Sequence, residues 1–419
     1  MKRNKLQKKE NKNKINNTKC KVNYFKFMNL FIFLFFIFAL EKSKKIYNQL
    51  YFKNLLSLKE GIIDSNNYDN FEKMKLKYIQ EPILNSYLEQ ISILSHIYSK
   101  NYNNLKENKT NIHISMAFNN KYLYPILIAM ESVLSKANKE KTFVTYHLLC
   151  SPDVTEITLS KLKSLMNRYS NNLEIIFYGM GKTFIQRDNK RFSQCTFYRL
   201  VLPIICSSDR ILYLDADTLV FKDLNEMYQI DFNENYILGI LDYLYYGIDY
   251  LGINSEKYIN AGVILLNLEK IRNDKIYYNI LNITNSNIIL KNNDQTLLNY
   301  ALYPKIGLIP YKYIIFDFHH ESDAEPYANN LRTKINTTEI SYSIIDPTII
   351  HYIICRPKIW NAKSRYNIMK CKERKDCSCI KSQKLWYYYA NKTGYYKEIV
   401  KFYRIKSDIQ KAFDNLRYL

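Results

Sequence analysis

The stretch RILYLDADTLVFKDL, residues 210–224, decides how the rest of the chain is read. Ile211 to Leu214 is a short apolar run of the kind that lies buried as a strand, and it stops at Asp215, Ala216 and Asp217. Two carboxylates two residues apart on an extended strand point to one face, and like charges side by side are costly until something cationic neutralises them. A divalent metal ion carrying a phosphorylated ligand meets that need. An Asp-x-Asp pair is common in surface turns, so its weight depends on the elements around it.

Upstream, those elements alternate. NIHISMAF, 111–118, has strand alternation, and YLYPILIAMESVLSKA, 122–137, has helical spacing, with Tyr124, Leu127, Ile128, Glu131 and Leu134 three or four residues apart. TFVTYHLLC, 142–150, is rich in β-branched and aromatic residues and reads as a strand. TEITLSKLKSLMNRYS, 155–170, is helical with Thr155 as its cap, and LEIIFYGM, 173–180, is again a strand. Such alternation predicts an α/β domain, Rossmann-like, with a mostly parallel central sheet. Ligands of such sheets sit outside the carboxyl ends of the strands, near the point where strand order reverses.

Farther out, the composition separates the ends from the middle. The 419 residues carry 61 Lys plus Arg against 39 Asp plus Glu, a net charge of +22, and 47% are hydrophobic, which excludes a wholly disordered chain. The charge suggests a nucleic-acid binder until it is located. Residues 1–45 hold 13 basic and 2 acidic side chains and residues 356–419 hold 17 and 5, so the stretch between them carries −1. Residues 1–26 are a Lys/Asn run with nothing to bury and are expected to be a disordered segment. FMNLFIFLFFIFAL, 27–40, extendable back to Val22, fits either a cleaved signal peptide or an uncleaved membrane anchor; the absence of a small-x-small cleavage site after Leu40 favours the anchor, and the basic flank ahead of it puts the amino terminus in the cytosol. Asn108, Asn282, Asn336 and Asn391 open glycosylation sequons that a lumen would use. Residues 41–110, with two short apolar clusters suggesting helices, are expected to form a stem. The domain proper spans 111–361, and 362–419 form a basic, aromatic-rich extension. Its stretch LWYYYANKTGYYKEIVKFYRIK, 385–406, is read as packing its tyrosines on the domain or facing anionic lipid, not as binding nucleic acid.

Five ordered segments resemble glycosyltransferase family 8, the retaining nucleotide-sugar transferases that include bacterial lipopolysaccharide galactosyltransferases and glycogenin. They are CTFYRLVLPIIC (195–206), the DAD of 215–217, YINAGVILLNLEKIR (258–272), NNDQTLLNYAL (292–302) and HYIICRPKIWN (351–361). The resemblance implies a single GT-A type domain that moves a hexose, glucose or galactose, from a UDP-sugar to a glycan, glycolipid or glycoprotein acceptor. It implies a divalent ion, Mn2+ with Mg2+ next, on Asp215, Asp217 and His351, an oxygen-rich set with one imidazole. Tyr122 would stack on uracil beside Asn119 and Asn120. Ala216, Asn260, Ala261 and Lys358 would contact the donor, Arg199 and Asp294 would orient its sugar, and Gln295 would face the anomeric carbon. Combined with the anchor, the resemblance implies a single-pass type II protein with its catalytic domain in the lumen of the Golgi or endoplasmic reticulum.

Three departures from the family pattern bear on chemistry. Asn119 and Asn120 stand in place of an acidic pair, so the hydrogen bond to uracil survives without charge. Ile354 stands where the family has a Gly whose backbone nears a phosphate, and one extra residue separates His351 from Lys358. Lys358-Ile359-Trp360 replaces Lys-Pro-Trp. Ile354 means either a reshaped loop or weaker donor binding, and it supports an alternative in which the protein holds sugar nucleotide or glycan as a scaffold. The adjacent His319 and His320 lack the spacing of a zinc pair. In a lumen, Cys371, Cys377 and Cys379 would form a disulfide, leaving one over or paired to Cys355.

Overall fold

The strand Thr142–Cys150 is buried at every position, as expected of a strand covered on both faces by other elements. In the computed structural model the described residues are 71, 73, 77–78, 81–99, 102–187, 193–242, 251–253, 255–286, 288, 290–317, 337–353, 358, 360 and 378–403. Their strands, in chain order, are β1 (Ser92–Ile97), β2 (Thr110–Phe118), β3 (Thr142–Cys150), β4 (Leu173–Gly179), β5 (Arg210–Leu214), β6 (Thr218–Val220), β7 (Ile237–Gly239), β8 (Val263–Asn267), β9 (Ile306–Leu308), β10 (Ile314–Phe316) and β11 (Ile349–His351). The large sheet runs β1-β4-β3-β2-β5-β8-β7-β9, and a small sheet runs β10-β11-β6. In the large sheet β4, β3, β2 and β5 are mutually parallel, β1 joins β4 antiparallel, and β8 is antiparallel to both β5 and β7.

Helix α1 (Pro82–Leu88) precedes β1. Helix α2 (Leu123–Lys136) connects β2 to β3, with Pro125 in its first turn, where no backbone donor is missed. Helix α3 (Glu156–Lys163) lies between β3 and β4, and the Thr155 side chain caps it by accepting from Thr158 N at 3.3 Å. Chain order leaves β2 in opposite directions, toward β3 on one side and β5 on the other. The carboxyl ends of β2 and β5 therefore flank the switch point of the sheet.

The described residues bear on only some of the expectations about the ends. Among the described residues no helix is long and apolar enough to cross a membrane. The basic segment 1–26 and the expected anchor at 27–40, with its extension to 22, lie outside the described residues. The stem does not reach to 110. Helix α1 buries Leu84, Tyr87 and Leu88, and β1 pairs along β4 from Ser92↔Gly179 to Ile97↔Ile175, so this stretch is the edge of the sheet. Ile91 and Ile93 are two residues apart, a strand interval that a helical reading of the apolar cluster overlooks. The carboxyl-terminal extension, by contrast, packs its aromatic residues on the domain, the first of the two placements expected for it. Helices α5 (Ser378–Lys392) and α6 (Tyr396–Phe402) put Trp386, Tyr387, Tyr389, Ala390 and Ile399 into the same core as β2, β3 and α2. Arg168 donates to the Lys392 carbonyl at 2.7 Å, Tyr389 Oη to the Val220 carbonyl at 3.2 Å, and Glu398 pairs with Lys161. Helix α4 (Asn293–Leu302) precedes β9.

A polar belt crosses the sheet away from the switch point. Buried Glu174 accepts from Lys106 Nζ at 2.6 Å and Thr145 Oγ1 at 2.7 Å and lies 2.8 Å from His96 Nε2, while His113 Nδ1 and His147 Nε2 are 2.9 Å apart. Burial, aided by Lys106, lowers the His113 imidazole to about 4, and burial holds His147 well below its ordinary value. Glu174 is pushed up by burial but pulled further down by His96 and Lys106, so it stays ionised. Between pH 6.5 and 4 the unfolded chain therefore binds protons that these folded histidines refuse, and stability falls as pH falls. Below the ordinary carboxylate range Glu174 adds to the loss. His113 keeps some exposure, so its share between pH 7.5 and 5 is about 1–2 kcal/mol. Urea midpoints are expected to fall across that window, and a His113→Gln variant to flatten the slope. A midpoint independent of pH there would refute the assignment.

Candidate active site

Strand β5 ends at Leu214, and Asp215 and Asp217 lie in the turn that follows, before β6. The two carboxylates do not sit on an extended strand, as the sequence spacing suggested. They are brought to one side by the turn. Asp215 N donates to the Gly262 carbonyl at 2.7 Å, Thr218 Oγ1 to the Asp215 carbonyl at 2.8 Å, and Tyr352 N to the Asp217 carbonyl at 2.8 Å. The small sheet supplies the third member. β11 runs antiparallel to β6 with His351 opposite Thr218, which places His351 Nε2 3.3 Å from Asp217 Oδ1 and 3.7 Å from Asp215 Oδ2.

These three residues offer ligand atoms that all lie within 4.8 Å of one another. A hard divalent ion suits such a set of carboxylates and one imidazole. The backbone beside it leaves no room for a side chain. A Cβ on Gly262 would lie 2.0 Å from His351 Cε1 and 2.7 Å from Asp215 Oδ2. Burial pushes the Asp217 carboxyl up, yet Lys358 and His351 pull it down further, so it is held ionised well below the usual carboxylate range. The Lys358 ammonium pairs with Asp217 and donates to the Tyr352 carbonyl at 2.8 Å.

Arg199 comes from the 3-10 helix Gln194–Val201 and is 3% exposed, so every donor has to be placed. Its guanidinium bonds Asp215 Oδ1 at 2.9 Å, the Thr196 carbonyl at 3.0 Å and the Ala261 carbonyl. It also lies 3.3 Å from Asp294 Oδ2 and 3.9 Å above the Tyr213 ring. Burial opposes its charge, but Tyr213, Asp215 and Asp294 outweigh burial and keep it protonated. Asp294, in the first turn of α4, is raised to about 6 by burial, against the pull of Arg199 and with a further push from Asp215.

Beside Arg199 is an amide layer. Gln295 Oε1 accepts from Ala261 N at 3.1 Å and Asn260 Nδ2 at 3.2 Å, and Gln295 Nε2 donates to Asp242 Oδ2 at 3.0 Å. Asn260 Nδ2 also donates to Asp242 Oδ2 at 2.9 Å, and Asn260 Oδ1 accepts from Gly262 N at 2.9 Å. Asp242 was not singled out from the sequence. It follows the apolar run YILGIL, 236–241, and so repeats with one carboxylate the strand-end pattern of 210–217.

A cleft of about 470 Å³ opens over the switch point. Asn119, Tyr122, Arg199, Asp215, Ala216, Asp217 and Lys358 line it, together with Ala117 and Phe118 from the end of β2. Asn119, Tyr122, Ala216 and Lys358 thus lie at the cleft itself. Asn260, Ala261, Asp294 and Gln295 lie in the hydrogen-bonded layer next to Arg199. Asn120 is turned away, since its side chain accepts from Thr158 Oγ1 and its N–H donates to Asp153 at 3.3 Å. Ile354, Cys355, His319, His320, Cys371 and Cys377 are outside the described residues.

Comparison with known proteins agrees with this geometry. The model of glycosyl transferase family 8 matches residues 113–364. The glycosyltransferase GlyE of Streptococcus pneumoniae serotype 4 is 23% identical over 242 residues, which are 57% of this chain and 55% of GlyE. The lipopolysaccharide 1,2-glucosyltransferase of Escherichia coli is 23% identical over 224 residues, 50% of this chain and 63% of that protein. The chain thus spans less than two thirds of the length of these relatives. Among solved structures, the galactosyltransferase LgtC, determined in complex with donor and acceptor sugar analogs, superposes with a TM-score of 0.50 at 18% identity. The match covers 66% of this chain and 95% of that one and shows a shared GT-A-like fold. The expected placement as a single-pass type II protein of the Golgi or endoplasmic reticulum is corrected. No described helix can cross a membrane, and both curated relatives come from bacteria, which have neither compartment. With the family model covering more than half of its residues and the family's motifs gathered around one cleft, the protein belongs to glycosyltransferase family 8.

Proposed function

We propose that this chain is a retaining hexosyltransferase that moves glucose or galactose from a UDP-sugar to a glycan, lipid or protein acceptor. The observation that carries the proposal is the convergence of Asp215 and Asp217, which line a cleft that also presents Arg199 and Lys358, with the buried imidazole of His351 behind them. Asp215, Asp217 and His351 would hold a divalent ion, Mn2+ or Mg2+, which when bound supplies Lewis-acid neutralisation of the donor's diphosphate.

The chain's own residues divide the remaining work. Tyr122 keeps 37% of its surface exposed at the cleft and offers its ring to a base, with the Asn119 amide beside it. Lys358 brings its ammonium, held by Asp217 and the Tyr352 carbonyl, to the same opening for the phosphates. Arg199 fixes the Asp215 carboxylate and, through its bond to the Ala261 carbonyl, ties the cleft floor to the layer that would receive the sugar. Asp294, raised to about 6, sits next to Arg199 and would orient the sugar. Both ends of the Gln295 amide are already hydrogen-bonded, which suits it to hold a charge-developing centre in place and not to attack it. Retention is then assigned to attack by the acceptor from the leaving-group side.

Release of UDP from a panel of UDP-sugars with Mn2+ tests the proposal. One or two hexose donors are expected to turn over and to be silenced by a chelator. Folded protein that binds UDP but hydrolyses or transfers no donor would favour the scaffold alternative instead. Tyr122→Ala is expected to raise the donor KM about tenfold with kcat little changed, since stacking of a base on an aromatic ring is worth about 1–3 kcal/mol. An unchanged KM would remove Tyr122 from the base-binding role.

A further inference from the structure

The chain contains two tryptophans, Trp360 and Trp386, and both are buried in one place. Their ring centroids are 6.0 Å apart with planes tilted by 33°. Trp360 in turn meets Tyr122 edge-on, at 5.9 Å and 79°. On the far side, Tyr403 packs edge-on against Trp386 at 6.2 Å, and its hydroxyl donates to the Lys121 carbonyl at 3.4 Å. Trp386 belongs to α5, and Tyr403 follows the last residue of α6.

Two segments form one rim of the cleft. One is the turn 119–122, and the other carries Lys358 two residues before Trp360. Both are backed by the same aromatic stack, and its outer members, Trp386 and Tyr403, come from the helices beyond the family match, which ends at residue 364. Buried rings at van der Waals packing density cannot be moved singly, so the position of Trp386 passes through Trp360 to the plane of Tyr122. We propose that Trp386 and Tyr403 are positioning residues for the nucleotide-binding rim, holding Tyr122 through Trp360 and Lys121 in the orientation that receives the base. This rests on the assignment of the cleft to a UDP-sugar, and it makes donor binding, not the chemical step, answer to the carboxyl-terminal helices.

Because both tryptophans lie in this stack, the whole indole emission of the chain reports on the rim. The experiment titrates the full chain with UDP and Mn2+, following tryptophan emission and calorimetry side by side, and measures UDP-release kinetics. The variants are Trp386→Leu, Trp386→Phe, Tyr403→Leu and Tyr388→Ala, the last replacing a half-exposed ring on the same helix. Emission of the unmodified protein is expected to shift on binding. Trp386→Leu and Tyr403→Leu should raise the UDP Kd and the donor KM about three- to tenfold, the range one aromatic pair is worth, with kcat within about twofold. Trp386→Phe should recover most of the loss, and Tyr388→Ala should change nothing. Tyr403 is partly exposed, so its variant keeps the test open even where Trp386→Leu fails to fold. Unchanged Kd and KM in Tyr403→Leu, or a loss confined to kcat, would overturn the proposal. UDP binding seen by calorimetry with no change in emission would overturn it while leaving the cleft assignment intact. Absence of UDP binding to the unmodified protein would take down both.

Discussion

Asp217→Asn is expected to lower UDP release about a thousandfold, the several kcal/mol that a phosphate-bound divalent ion contributes to a transition state. The substitution keeps the shape of the side chain and removes its charge. Asp217 is 12% exposed and lies 3.3 Å from His351 Nε2, so no solvent-held carboxylate can replace it at that point. Lys358 would then face a neutral amide in place of the carboxylate it pairs with. Two measurements separate loss of the site from loss of the fold. The spectrum of free Mn2+ counts ions taken up by the protein with UDP present, and a thermal midpoint reports folding. The expected outcome is a folded variant that takes up no ion. A variant retaining a tenth or more of the activity would remove Asp217 from the ligand set.

Gly262→Ala is expected to be as damaging from the opposite direction, since it adds one methyl group and takes no charge away. The new Cβ would be 2.0 Å from His351 Cε1, far inside van der Waals contact, and 2.7 Å from Asp215 Oδ2. Neither neighbour can yield easily. His351 is held in β11 by its pairing with β6, and the Asp215 backbone N–H is bonded to the Gly262 carbonyl itself. Overpacking of this kind costs about 1–3 kcal/mol in stability. The larger effect is on the site, because relief of the clash requires the imidazole to leave the two carboxylates. Ion uptake and UDP release should both fall at least a hundredfold, on the scale of losing a placed charge-stabilising group. Gly262→Ala with normal ion uptake would show that His351 is not a ligand.

Much of the fold was legible because its central part uses one periodicity at a time. The runs at 111–118, 142–150 and 173–180 became β2, β3 and β4, and the helical spacings between them became α2 and α3. These segments bury nearly all their apolar residues, so pattern and burial coincide. At β1 they do not. That strand mixes Ile93, Leu94 and Ile97 with Ser92, Ser95 and His96, and its pairing with a strand some eighty residues later leaves no local trace. The site was legible in its residue types but not in its layering. Arg199 reads as a donor contact, yet most of its donors are spent on Asp215, Thr196 and Ala261. Asn120 carries the right chemistry and points toward Thr158, because the 3-10 turn at Asn120–Tyr122 directs neighbouring side chains apart. Asp242 has a strand-end position but lacks a second carboxylate to draw attention. The demand at Gly262 cannot be seen locally at all, since the atom that forbids a methyl group belongs to His351.

The pairing of β6 with β11 also sets an order of events during synthesis. Thr218 and His351 are partners in one short sheet, and 133 residues separate them. At about 5–20 residues per second, roughly 7–27 s pass between emergence of the acidic turn and arrival of the strand that covers it. Over that interval β6 has no partner, and Val220 lacks the Tyr389 hydroxyl that later caps its carbonyl. The nascent chain thus lacks the imidazole that joins its two aspartates until its final sixth appears, and competence to bind a donor switches on late.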